Sequence, residues 1–442
     1  MWPFNDSLYN ARDFLNDPVH FLQGQSSKPV NTFQIANRQL HHITGLEEIK
    51  EVLVSKHKRF IGPPKARFYF SLNTGKGLIG TDGNEWAQQR KRVNPLVKKA
   101  QIDKTLPVLI KTAKNAAEVM AANGKPQDMF HAMLGMALHL ICQFSFGFYD
   151  QKYTEKIGNA MSLMNVEASK RIVAPFNIPV IFPTRSNIRY YNSRKTFDRF
   201  VREMVSRALA NNDSESFAVK YSRRHEKIPE KVLHEQLVIL LKNIVAANET
   251  VATGLTWCLF ELNHHPEILV DVMDELKSFE IGTIQSPAEL FAKTQFTQLV
   301  LKETMRLYSP IWLLGRVATD DVTIGNTNIR RKDDVLISPL IVHRMEKYWE
   351  EPLTFNPQRF ENKPESFLES AFFPFGLGPR GCIGGHLAVL QMTVVLATIY
   401  QQCNVKVSAH NHTEFHPYII IRPKHTIPFE LTPIKEQKIV PV

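Results

Sequence analysis

The chain is 442 residues long, 43% hydrophobic and 22% charged, which is enough apolar material for a large core and excludes a disordered tail, a collagen and a coiled-coil rod. Lysine and arginine number 54 against 43 aspartates and glutamates, a formal net charge of +11. Such an excess suits nucleic acid, an anionic membrane or an acidic protein, and composition does not choose among them.

No internal repeat or Gly/Ser linker divides the sequence and its 26 prolines are dispersed, so residues 1–442 read as a single domain. Asn31 to Ala36 and Gln39 to Thr44 predict strands, and Thr44-Gly-Leu-Glu47 has the pattern of a capping box opening a helix through Lys56. Apolar residues then recur at helical intervals over Met129 to Phe146, Thr196 to Ala210 and Glu230 to His264. The last of these predicts one continuous helix about 50 Å long. Ala292 to Leu307 is a further helical pattern. Between Gly315 and Ser338, β-branched and polar residues alternate and reverse at Gly325-Asn326, predicting a small sheet. Leu387 to Tyr400 predicts a helix, and a strand pair is expected from Tyr418 to Arg422 and Phe429 to Thr432. The outline is a mainly α fold with small β-sheets, β-rich near 30–45, 315–340 and 415–432 and helical near 84–308 and 385–400.

Met1-Trp-Pro-Phe-Asn-Asp has no basic segment followed by an apolar one, and no stretch reaches about 18 uninterrupted apolar residues, so a cytoplasmic protein without a transmembrane anchor is expected. Cys142, Cys258, Cys382 and Cys403 stand far apart with no CxxC pair, which indicates neither a disulfide framework nor a zinc module. Cys382 is distinguished by its surroundings, Phe372-Phe-Pro-Phe375-Gly376-Leu-Gly378-Pro-Arg380-Gly381-Cys382-Ile-Gly384-Gly385, a stiff loop whose backbone can approach something closely. The start of the helix that follows favours a thiolate, and a thiolate in such a loop is a metal ligand or a nucleophile. As a nucleophile its only local base is His386; as a lone ligand it suits haem iron, whose in-plane positions the porphyrin fills.

The pattern Phe375-x-x-Gly378-x-Arg380-x-Cys382-x-Gly384 resembles the haem-ligand loop of the cytochrome P450 family. The resemblance implies the cytochrome P450 fold, with haem b between a long distal helix and the cysteine loop and its proximal helix. It implies Cys382 as axial ligand of the iron, Phe375 shielding it, Gly376 in the cofactor-binding loop and Arg380 on a propionate. Trp86-Ala-Gln-Gln-Arg90 resembles the family's Trp-x-x-x-Arg element, another propionate donor, and Arg316 is the remaining expected partner. Glu303-Thr-Met-Arg306 resembles the Glu-x-x-Arg pair, and Phe355-Asn-Pro-Gln-Arg359-Phe360 the segment supplying a second arginine. At i, i+3 Glu303 and Arg306 share one helix face, where a carboxylate can accept from two guanidinium groups; the implied role is structural.

Ala246-Ala247-Asn248-Glu249-Thr250 resembles the distal-helix signature, in which Thr250 serves dioxygen or its water chain and Glu249 relays protons. Ala247 stands where many members carry glycine. A Thr bonded back to the Ala246 carbonyl, with Glu249 in a salt bridge, is the plainer reading of the same residues. Val245, Ala246, Trp312 and Leu313 stand where the family builds its pocket, an apolar wall suited to a hydrophobic small-molecule substrate. Counting back from Thr250 at about 100° per residue, Asn243 lies about 20° and Lys242 about 80° away, so one or both are expected to orient a polar or carboxylate end of the substrate. His410-Asn-His412 has no partnering ligand at a metal-site spacing, and Phe176 to Phe182 reads as a loop over the substrate entrance.

The implied activity is a haem-thiolate monooxygenase that inserts one oxygen atom from dioxygen. No flavin or iron–sulfur motif appears, so a separate ferredoxin- or flavodoxin-type donor is expected. The resemblance puts Arg90, Lys91, Arg92, Lys98 and Lys99 beside the cysteine-bearing face, where such a donor is steered. A peroxide-driven or non-oxygenating haem-thiolate enzyme and a non-enzymatic haem sensor are the alternatives. Peroxide-driven relatives carry Arg-Pro where this chain has Glu249-Thr250. Nucleic acid is left without support.

Overall fold

The computed structural model describes residues 4–174, 177–361, 363–408 and 414–434; Phe176, His410 and His412 lie outside the described residues. Strands β1 (Val30–Ile35) and β2 (Arg38–Ile43) form a tight hairpin, Val30 opposite Ile43, with Ala36 in its turn at φ +52°. The capping box does not form. The Thr44 hydroxyl donates instead to the Lys28 carbonyl (2.8 Å), Gly45 stands at the cap, and the helix Leu46–Lys50 continues as a π-helix, Glu51–Ser55. After β3 (Phe60–Ile61) come helices α1 (Pro64–Thr74), α2 (Gly83–Val93) and α3 (Leu106–Asn123), then the short strand β4 (Gln127–Asp128).

Helix α4 (Met129–Phe146) has the bounds the pattern predicts because both signals are local: Asp128 accepts from the His131 amide (3.2 Å) and Gly147 ends the helix at φ +81°. It is buried on nearly every side, as a central helix is. Next are α5 (Thr154–Val173) and α6 (Arg185–Asn211), within which the Thr196 to Ala210 pattern falls.

The 230–264 pattern folds as two helices, α7 (Glu230–Ala246) and α8 (Asn248–His264), not one. The Ala247 amide donates to the Ile244 carbonyl (3.2 Å), three residues back. The Ala247 carbonyl in turn receives both the Thr250 amide (3.2 Å) and the Thr250 hydroxyl (2.8 Å). Three-residue closures and a hydroxyl in the ladder interrupt the regular spacing. The Ala292 to Leu307 pattern likewise divides at Thr294, into Pro287–Lys293 and α9 (Gln295–Leu307). There the Glu275 carboxylate caps the new start, accepting from the amides of Phe296 (2.6 Å) and Thr297 (2.8 Å).

Strands β5 (Leu314–Ala318), β6 (Val322–Ile324), β7 (Thr327–Ile329) and β8 (Asp334–Ile337) follow, β6 and β7 reversing at Gly325, φ +52°. The five-stranded sheet has the order β1-β2-β8-β5-β3, with β2 and β8 parallel. After α10 (Gly385–Gln402) come β9 (Cys403–Val407), β10 (Phe415–Pro417), β11 (Ile421–Pro423) and β12 (Pro428–Pro433). The two C-terminal strands expected to pair with each other do not: β11 pairs with β10, and β12 with β9 and β4.

One connected cluster of buried residues runs from Leu22 to Leu431 and takes in α4, α8 and α10. A second lies against the sheet and includes Leu53, Val335, Ile337 and Phe373, tying the segment before Cys382 to the sheet. Met129–Phe146 and Glu230–His264 are long and apolar enough to cross a membrane by length and composition. Their most apolar windows are 78% and 72% buried within the protein, as those of core helices are.

Candidate active site

Of the four cysteines only Cys382 is exposed. Its loop is drawn tight by backbone bonds: Gly376 N–H to the Phe373 carbonyl (2.9 Å), Gly381 N–H to Gly378 (3.0 Å) and Cys382 N–H to Phe375 (2.8 Å). Gly376 and Gly378 hold φ of +70° and +68°, and a side chain at Gly378 would strike the Leu53 carbonyl of the π-helix. The Phe375 ring packs on Gly385, where α10 begins. His343 anchors the near end, its Nε2 accepting from the Phe373 amide (2.9 Å) while Nδ1 faces the Ser309 hydroxyl (3.0 Å). Burial drives that imidazole down to about 3, which keeps it neutral and Nε2 able to accept.

Cys382 reaches an open face, yet the loop crowds it: burial raises its thiol, opposed by the Gly384 amide and Arg90. His386 is not its base. The imidazole Nε2 lies 2.8 Å from Asp103 Oδ1, so the nucleophile reading loses its local partner.

Below the loop, Arg306 on α9 grips Glu303 with two bonds (2.7 and 2.8 Å) and donates to the carbonyls of His343 (2.6 Å) and Pro352 (2.7 Å). Arg359 donates to the same carboxylate (3.0 Å) and to the Glu350 carbonyl (2.7 Å). Glu303 and Arg306 are fully buried, so the many bonds offset a desolvation cost that a bare pair would not meet. His343 links this network to the loop, its carbonyl on Arg306 and its ring on Phe373.

A second group of cations has too few anions. Trp86 and Arg90 stand on α2, Arg316 on β5 and Arg380 in the cysteine loop. Arg380 lies over the Trp86 ring (4.6 Å to its centroid), donates to the Thr81 carbonyl (3.0 Å) and faces Asp82 (3.3 Å), which also takes Arg67 (3.1 Å). Arg316 donates to the carbonyl of its neighbour Gly315 (2.8 Å), and the Arg90 guanidinium has no hydrogen bond or ion pair with any described residue. Burial lowers both guanidinium groups, Arg316 to about 10 with Arg380 adding to the effect. Arg67, Arg316 and Arg380 thus share the field of Asp82, and Arg90 adds a further positive charge beside Arg380, an arrangement that calls for carboxylates from a ligand.

On the other side, Met392 of α10 lies against Gly254 of α8. At the starts of these helices Cys382 and Ala247 are exposed and Thr250 is half-buried. Glu249 is fully buried; one oxygen accepts from Arg422 Nε (2.5 Å) and the other from Asn165 Nδ2. Arg422 lies over Phe130 and donates to the Ser162 hydroxyl (2.8 Å). The donor set fits a haem: one open thiol, a cradle at Gly376 where a side chain would meet only the Gly381 Cα within 4 Å, and guanidinium groups awaiting propionates.

The family model for cytochrome P450 matches residues 8–428. The chain belongs to the cytochrome P450 family. It is 26% identical over 363 residues to cyclooctatin synthase of Streptomyces melanosporofaciens, a match covering 80% of this chain and 78% of that protein. Cytochrome P450 709B3 of Arabidopsis thaliana is 25% identical over 438 residues (94% and 81%), and pentalenene oxygenase of Streptomyces avermitilis 23% identical over 340 (75% and 74%). The P450 is an oxidoreductase, a monooxygenase that uses haem iron.

Two residues expected to meet this P450's substrate are engaged within the protein. Lys242 Nζ reaches Asp198 on α6 (2.8 Å), and the Asn243 amide accepts from Ile79 N–H (3.2 Å) and donates to the carbonyls of Ile239 (2.8 Å) and Thr74 (3.4 Å). The break at Ala247 lies between them and Thr250, so a count at constant angle does not carry across it. Val245 is fully buried in the main core, Ala246 and Leu313 are half-buried against it, and Trp312 donates to the Tyr418 carbonyl (2.7 Å). Sequence reasoning missed Asp82, Asn165, His343 and Arg422. Asp82 immediately precedes α2 and was open to notice as a cap. Asn165 and Arg422 join Glu249 across 84 and 173 residues, with no periodic signal.

Proposed function

We propose that residues 1–442 act as a single cytoplasmic catalytic domain that holds haem b through Cys382 and inserts one oxygen atom from dioxygen into a hydrophobic substrate. The observation that carries this is an open thiol beside the half-buried guanidinium groups of Arg90 and Arg316, which lack carboxylate partners among the described residues. In this reading Trp86, Arg90, Arg316 and Arg380 receive the propionates, and Phe375 and Gly376 wall the ligand loop. Bound there, the haem supplies the oxidising chemistry. The chain's residues do the rest. Glu303, Arg306 and Arg359 hold the loop's support rigid. The Thr250 hydroxyl, bonded to the Ala247 carbonyl at a helix break, can turn to a water or to dioxygen. Val245, Ala246, Trp312 and Leu313 supply apolar surface that excludes water. Similarity to a pentalenene oxygenase supports the oxygenation reading. No carboxylate end is assigned to the substrate, since Lys242 and Asn243 are engaged within the protein.

Electrons come, in this reading, from a separate ferredoxin- or flavodoxin-type protein. Lys91, Lys98 and Lys99 are exposed and carry no ion pair among the described residues, which leaves them free to steer an acidic donor. The test of ligation is Cys382→Ser. The parent's reduced carbonyl complex is expected to show the red-shifted Soret band of thiolate ligation and the variant to lack it. A folded, haem-loaded parent without that band overturns the assignment.

A further inference from the structure

We propose that the loop 177–184 and the exposed face of α6 form a docking surface for an anionic lipid bilayer, Ile181 and Phe182 entering the headgroup layer and the cations beside them taking lipid phosphates. The inference goes beyond the catalytic reading and does not depend on what ligates the iron. Val173, Ile178, Ile181, Phe182, Ile188 and Tyr191 are all exposed, and no other stretch of similar length among the described residues exposes as many large apolar side chains. Ile181 stands 83% and Phe182 52% open to solvent. Single apolar side chains are ordinary on a protein surface, whereas a contiguous set marks a contact. Exposed Phe68 of α1 joins this set, since the Lys65 ammonium one turn earlier donates to the Ala174 carbonyl.

The loop is braced from inside. Asn187, itself buried, donates from its side-chain amide to the carbonyls of Pro179 and Phe182 (2.9 Å each) and accepts from Arg171 (2.9 Å). The Phe182 amide donates to Pro179 (3.1 Å) and the Thr184 amide to Phe182 (2.9 Å). These backbone groups are paired within the protein, so entering a lipid interface does not strand them. Charge completes the match. Residues 168–197 hold Lys170, Arg171, Arg185, Arg189, Arg194 and Lys195 and no aspartate or glutamate. Arg194 is engaged inward, on the Leu72 carbonyl (2.8 Å), as Arg171 is on Asn187. The side chains of Lys170, Arg185, Arg189, Lys195 and Arg199 are exposed and make no hydrogen bond or ion pair with any described residue. At about 100° per residue, Arg185, Ile188, Tyr191, Lys195 and Arg199 lie on one side of α6. The partner must offer apolar depth together with dispersed negative charge, and an anionic bilayer offers both. An acidic protein would answer the cations alone.

The test is flotation of the full-length, haem-loaded protein with vesicles of phosphatidylcholine alone or mixed with phosphatidylglycerol. The parent is expected to float with the mixed vesicles, not with phosphatidylcholine alone, and to be released as salt is raised. Ile181→Asp combined with Phe182→Asp should weaken binding about tenfold. Alanine at Arg185, Arg189, Lys195 and Arg199 together should weaken it at least as much and flatten its salt dependence. In Phe182→Trp, emission from the new indole should be quenched by brominated acyl chains. Alanine at Lys91, Lys98 and Lys99 should leave vesicle binding as in the parent. No binding to the mixed vesicles overturns the proposal. So does parent-like binding by the aspartate pair, the result expected if the face meets an acidic protein through charge alone. A loss in the Lys91, Lys98 and Lys99 variant equal to that of the α6 variant also overturns it, because binding then follows net charge and not this face. If the aspartate pair melts at a lower temperature than the parent, Ile181→Ser must still weaken binding. Absence of the reduced carbonyl band would count against thiolate ligation alone, since flotation does not depend on it.

Discussion

At Gly378 the absence of a side chain decides whether the cysteine loop can seat. Its φ of +68° is costly for any other residue, and a Cβ would run into the Leu53 carbonyl. Gly378→Ala should cost about 3 kcal/mol in a urea titration, with haem retention falling in parallel. Asn243 supplies a contrasting case. Asn243→Ala removes the acceptor of the Ile79 amide and the donor to two carbonyls, and should cost about 2 kcal/mol of stability. The cysteine loop was legible in the sequence because its glycines, arginine and cysteine are close neighbours whose spacing is itself the geometry. The bonds of Lys242 and Asn243 within the protein were not legible, because their direction was referred to Thr250 by a constant count across the interruption at Ala247.

Elements were legible where their signals are local. The bounds of α4 follow from Asp128 and Gly147 at its ends. Elements were misread where a remote group takes over a local one: Lys28 captures the Thr44 hydroxyl, and Glu275 opens a second helix inside an unbroken apolar pattern. The partners of β11 and β12 depended on β9, a five-residue strand with no turn signal before it. The break between α7 and α8 yields a prediction at this scale. Thr250→Val deletes the hydroxyl held by Ala247, so exchange across 247–251 should slow as the ladder regularises, while the share of electrons recovered as hydrogen peroxide rises severalfold. A variant with parent-like exchange and peroxide yield would show that the break is fixed by the backbone alone.

Over the whole molecule, charge and burial set the response to solution conditions. Substituting Lys91, Lys98 and Lys99 together by alanine should slow electron transfer from an acidic donor at low ionic strength and flatten its salt dependence. Burial lowers His42 and His139 to about 4 and His343 to about 3. Between these values and about 6.5 the unfolded chain binds protons that the folded one refuses, so their contribution is complete above that window and is lost as pH falls through it. Asp334, raised to about 6 by burial, and Glu261, also raised by burial, act in the opposite sense. A single variant isolates one term: His139→Gln should reduce the dependence of unfolding free energy on pH between 4.5 and 6 by about 1.4 kcal/mol per unit. An unchanged slope would mean that His139 charges freely in the folded protein.

The distance along the chain between Glu249 and Arg422 has a consequence for biosynthesis. Helix α8 is made early, and its carboxylate has no guanidinium to meet until β11 emerges, 173 residues later. Cys382 and every arginine assigned to the propionates are translated before that strand. At roughly 5–20 residues per second the ribosome spends several seconds between the cysteine loop and Arg422. During that interval the haem-side groups are all present while the distal wall lacks its last support. The bond between Glu249 and Arg422 is therefore among the last contacts of the main core that synthesis makes available.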